Sequence, residues 1–126
     1  MIKKESFFLV LVAIGVFSAS LGYGFLPSLT MPFLYEIEVT NTNLLNILRA
    51  ISGLYIALVT FWIIGAYISN LQLPALWSLT IFMTVIALGR VASILIDGLP
   101  SPIFIFYLFI EIISVLIGYA LLKGKL

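Results

Sequence analysis

Four stretches of the chain are almost continuously apolar, and its polar positions fall between them or at their rims. The first run, about residues 7–26, follows Lys3, Lys4 and Glu5; the others cover about 44–69, 75–96 and 103–122. Each reaches the ~20 residues that an α-helix needs to cross a hydrocarbon core. Pro27 and Pro32 end the first run, and residues 27–43 form the longest polar-leaning connection. Within it Phe33, Tyr35, Ile37 and Val39 alternate with Leu34, Glu36, Glu38 and Thr40, the period of two expected of a short extended stretch lying at the membrane surface. Thr40-Asn41-Thr42-Asn43 offers N-cap side chains to the second run, and Pro74 marks the start of the third. Asp97-Gly98-Leu99-Pro100-Ser101-Pro102 reads as a tight turn before the fourth, because Gly and Pro continue a helix poorly.

Short connections after the second and third runs make neighbouring helices antiparallel. The pattern therefore predicts an all-α, four-helix transmembrane bundle, up-down-up-down, with residues 1–126 forming one integral membrane domain. Composition agrees: of 126 residues, 63% are hydrophobic and 9% charged, leaving no material for a separate soluble domain. The partner implied first is the lipid bilayer.

Charge adds orientation. Lys3, Lys4, Lys123 and Lys125 flank the first and last runs, which an even number of spans brings to one side, while Glu36 and Glu38 fall on the other. The positive-inside rule then predicts a multi-pass protein of the inner (plasma) membrane with both termini cytoplasmic and loop 27–43 outside. Lys3 and Lys4, with the small residues Ser18-Ala19-Ser20, also outline a signal peptide; the run continues apolar through Leu26, past that cut, so a retained first helix is expected.

Two zeros narrow the chemistry. Without Cys or His there is no thiolate nucleophile, imidazole base, or Cys- or His-ligated metal or haem, and no metal or cofactor is expected. With a net charge of +1 and scattered basic residues, nucleic acid is not expected as a partner.

Four ionisable residues nevertheless fall inside or at the edge of the apolar runs: Arg49, Arg90, Asp97 and Glu111. At mid-membrane each costs ~2.5–3.5 kcal/mol on insertion scales, so they should face one another within the bundle. At ~1.5 Å rise per residue, Arg90 lies about 10 Å inward from Asp97 and Glu111 about 12–14 Å inward from the start of its helix, which makes them level. Arg49, about 5–8 Å deep by the same rise, shares the depth of Asp97. Helical spacing lines up Arg90, Ser93 and Asp97 on one face, Tyr107, Glu111, Ser114 and Gly118 on a second, and Asn46, Arg49, Gly53, Ala57 and Thr60 on a third. The candidate cluster, for ligand binding or buried ion pairing, is thus Asn46, Arg49, Arg90, Ser93, Asp97, Tyr107, Glu111 and Ser114, with Tyr107 and Ser114 as donors to Glu111. No residue is assigned as catalytic. Trp62, Tyr67 and Trp77 are expected as interfacial anchors.

These residues also carry a resemblance. Asn46-x-x-Arg49-Ala50-x-x-Gly53-x-Tyr55, Phe82-Met83 with Ala87-Leu88-Gly89-Arg90-x-x-Ser93, and Asp97-Gly98-x-Pro100-Ser101-Pro102 with Tyr107 and Glu111 resemble a bacterial family of small membrane proteins known as a domain of unknown function. The resemblance runs from Tyr23 onward and implies a four-helix membrane protein without naming an activity.

Three functions fit this pattern. The leading one is a non-enzymatic membrane protein whose outer-leaflet cluster binds a small amphipathic or anionic ligand. The second is a structural or accessory subunit with a membrane-protein partner, suggested by the small size and the Phe33–Thr40 segment. The third is a lipid isomerase or hydrolase working through Glu111 and Asp97.

Overall fold

The computed structural model describes residues 3–126, and its elements in chain order are α1 (Lys4–Gly24), α2 (Pro27–Tyr35), α3 (Thr42–Tyr67), α4 (Ser69–Asp97) and α5 (Pro102–Leu122). Helices α1, α3, α4 and α5 are each long and apolar enough to cross a membrane. The protein is an all-α, multi-pass membrane protein whose four long helices pack as an up-down-up-down bundle. α1 packs chiefly on α3, α3 on α4 and α4 on α5, whereas α1 and α5 touch only sparsely. That last gap positions the site.

Local sequence explains most boundaries. Asn41 caps α3, its Oδ1 accepting from the backbone N–H of Asn43 at 2.7 Å and of Leu44 at 3.4 Å. α5 opens on Pro102, whose missing N–H is one the first turn would leave unpaired in any case. Three departures from the sequence pattern are informative. Residues 27–35 form a helix that takes in Phe33, Leu34 and Tyr35, the first three positions of the stretch expected to be extended, while residues 36–41 are non-helical. Pro27 sits at its first turn, and Glu36 ends it in the left-handed region at φ 59°. The buried positions of α2, namely Pro27, Met31 and Tyr35, recur every four residues, so the helical period overrides the alternation. α4 starts at Ser69 and runs through Pro74, which falls close enough to the helix start to forfeit one hydrogen bond without ending the helix. Trp62, expected at the interface, is fully buried and donates from Nε1 to Ser78 Oγ at 3.0 Å. Tyr67 and Trp77 are exposed.

Two apolar clusters hold the bundle. The larger, around Leu9, Ala13, Trp62, Leu76, Leu79 and Met83, fills the half of the bundle nearer the termini. Ser6 ties that end together, donating to the Ala66 carbonyl at 2.8 Å and accepting from Gln72 Nε2 at 2.9 Å. The smaller cluster, Met31, Tyr35, Val39 and Leu48, seats α2 against α3 and the start of α5 at the loop end. Close approach between helices is bought with small residues. A Cβ on Gly24 would run into Ser52 of α3, and one on Gly118 would run into Thr80 of α4.

Candidate functional site

Arg90 and Glu111 meet at the α4–α5 contact. The Arg90 Nε donates to both carboxylate oxygens of Glu111, at 2.8 and 2.9 Å, the one side-chain ion pair among the described residues. A charged pair inside a bundle needs this mutual compensation, because either charge alone would be stranded in a medium of low dielectric. The guanidinium carbon also lies 5.5 Å from the centre of the Tyr107 ring, within cation–π range.

Around this pair stands a group of tyrosines from four helices. The Tyr107 hydroxyl shares a 2.9 Å hydrogen bond with that of Tyr35 on α2. Tyr35 in turn stacks against Tyr23 of α1 at 6.0 Å and Phe104 of α5 at 5.1 Å. Edge contacts continue from Tyr23 to Tyr55 (5.7 Å), from Tyr55 to Phe82 (5.5 Å) and from Phe82 to Trp62 (5.5 Å). Burial pushes the Tyr35 hydroxyl well above the usual phenol range, and its hydrogen bond to Tyr107 adds to the effect, so Tyr35 stays neutral near pH 7.

A cleft of about 350 Å³ opens beside these groups, between α1 and α5, where the two outermost helices fail to close on each other. Val12, Gly15 and Ala19 form one wall, Ile110, Ile113 and Ile117 the other, and Phe82, Met83 and Ile86 the floor. Its polar residues are Arg90, Glu111, Ser114, Tyr23, Tyr55 and Tyr107. A second hollow, about 420 Å³, lies between α4 and α5 on the other side of Arg90 and is lined by Gly89, Ser93, Pro100 and Phe104. Arg90 borders both.

The eight candidate positions separate into groups. Arg90, Tyr107, Glu111 and Ser114 line the cleft together. Ser93 borders the second hollow and donates to Asp97 Oδ2 at 2.8 Å, at the exposed end of α4. Arg49 is spent elsewhere: its Nη1 donates to the Gly24 carbonyl at 2.7 Å, satisfying an acceptor that the end of α1 leaves unpaired. Asn46 is exposed and lines neither cavity. The face of Asn46, Arg49, Gly53, Ala57 and Thr60 points out of the bundle, and Ser52 faces inward instead, donating to the Ser20 carbonyl at 2.8 Å. Tyr107 donates to or accepts from Tyr35 rather than Glu111. Glu111 lines the cleft, whereas Asp97 stands with Ser93 at the exposed end of α4. Tyr23 and Tyr35 join the site without having been picked out by charge; the signal for Tyr35 was its place four residues after Met31 on the buried face of α2.

Residues 5–122 match the family described as Domain of unknown function (DUF4345). The chain belongs to the DUF4345 family. Its Arg90–Glu111 pair and the cleft lie wholly within the matched region. No curated protein and no solved structure matches the chain.

Proposed function

We propose that this DUF4345 protein is a non-enzymatic binder of a small amphiphile, held in the inner (plasma) membrane with both termini cytoplasmic. The observation that carries the reading is the cleft between α1 and α5: an apolar slot open along the bundle, with Arg90, Glu111 and the tyrosines toward its loop end. Small-molecule sites typically combine a mostly apolar lining with a few convergent polar groups, in volumes of about 300–1,000 Å³. At about 350 Å³ the cleft suits one hydrocarbon chain better than two. Along α1 its lining runs from Phe8 to Tyr23, about 22 Å at ~1.5 Å per residue, a length that favours an extended chain lying parallel to the helices. The lysines beside α1 and α5 support the orientation, which puts the polar end of the cleft in the outer leaflet.

The test is a thermal-shift screen of single-chain amphiphiles against the full chain in detergent. Hits should raise Tm in the wild type and not in Gly15→Phe, where the new side chain enters the cleft from a glycine whose Cβ position meets open space. A panel without stabilising members, or stabilisation untouched by Gly15→Phe, would sink the reading.

A further inference from the structure

We infer that the cleft, if it is the amphiphile site argued above, selects an uncharged single-chain lipid whose head presents hydrogen-bond acceptors, as a monoacylglycerol does. The first ground is charge balance. Arg90 and Glu111 are the charged groups lining the cleft, and each already compensates the other at 2.8 Å. An anionic head would leave this part of the bundle with a net negative charge and a cationic head with a net positive one, and an uncompensated charge away from water is costly. A neutral head leaves the balance intact.

The second ground is the inventory of donors and acceptors. Both Glu111 oxygens accept from Arg90 Nε. A guanidinium carries five N–H donors, so four remain on Nη1 and Nη2; the Tyr23 hydroxyl lies close enough to accept from one of them, and the rest are in excess. Tyr107, Tyr35 and Tyr23 form a row of three phenols, which uses at most two of its three hydroxyl protons within the row. Donors are therefore in excess where the cleft meets its polar end, and the complementary ligand supplies lone pairs: ester carbonyl and hydroxyl oxygens. The hollow of about 420 Å³ beyond Arg90 gives such a head room to extend past the guanidinium toward Ser93.

The experiment offers the full chain in detergent an equimolar mixture of monooleoylglycerol, oleate and oleylamine at pH 8, with adducts counted by native mass spectrometry. The three share one chain and differ in head charge. In the wild type the monooleoylglycerol adduct should exceed either of the others by about tenfold, the ratio that ~1.4 kcal/mol of preference produces. In Glu111→Gln, which leaves Arg90 uncompensated, oleate should overtake it. A wild type that takes oleate or oleylamine most readily, or all three equally, overturns the inference about the head while the cleft stands as the site. Absence of any adduct that Gly15→Phe removes overturns the proposed function itself. Should Glu111→Gln fail to fold, the wild-type order alone decides.

Discussion

Arg90 on α4 and Glu111 on α5 join the two helices through one N–H shared between two carboxylate oxygens, at 2.8 and 2.9 Å. Their levels match although they are 21 positions apart, because the α4–α5 turn returns the chain at the depth it left.

Reversing one member of the pair puts like charges against each other inside the bundle. Arg90→Glu and Glu111→Arg should each lower stability in detergent by about 3–5 kcal/mol, the usual cost of breaking a buried pair. The double swap should regain most of that loss, since opposite charges again face each other. Thermal unfolding of the three variants checks this, and a double swap no better than the singles would mean that the two side chains do not couple.

The Tyr35–Tyr107 hydroxyl pair links α2 to α5 at 2.9 Å and gives the loop end a polar anchor among aromatic rings. Tyr35→Phe should cost about 0.5–1.5 kcal/mol, the ordinary net worth of one hydrogen bond. Tyr107→Phe should cost about as much, and combining the two should add little, because both remove the same bond. Additive losses in a double-mutant cycle would contradict the pairing.

The four spans were legible because a membrane helix writes its own signature: each needs an apolar run of fixed length, whatever it packs against. The depth of Arg90 and Glu111 was legible for the same reason, since rise per residue converts position into height. Rotation about each helix axis was not. Arg49, expected from rise per residue at the depth of Asp97, instead donates to the Gly24 carbonyl, an acceptor at the end of α1 that lies nearer than any carboxylate. Tyr35 was masked by the alternation of Phe33–Thr40, which straddles the end of α2 and has only its first three residues in that helix.

Trp62 illustrates the same limit, and it yields a prediction. Aromatic residues near span ends are commonly interfacial, but Trp62 is 0% exposed whereas Trp77 is 50% exposed. In vesicles of brominated lipid, Trp77→Phe should remove most of the quenchable tryptophan emission, leaving Trp62 shielded inside the bundle. Strong residual quenching in that variant would place Trp62 against lipid and disprove its burial.

Gly118 offers the sharpest test of helix spacing. Its missing side chain lets α5 approach Thr80 of α4, and a Cβ there would run into Thr80 Oγ1. Thr80 Oγ1 cannot swing away freely, as it donates to the Leu76 carbonyl at 2.8 Å. Gly118→Ala should therefore destabilise the protein by about 1–3 kcal/mol, the range typical of overpacking, even though alanine is the better helix former. Adding Thr80→Ala removes the clashing atom and leaves the Thr80 Cβ at 3.4 Å, an ordinary contact. The double variant should then recover to near wild-type Tm. A Gly118→Ala protein as stable as the wild type would show instead that α4 and α5 stand further apart than this contact requires.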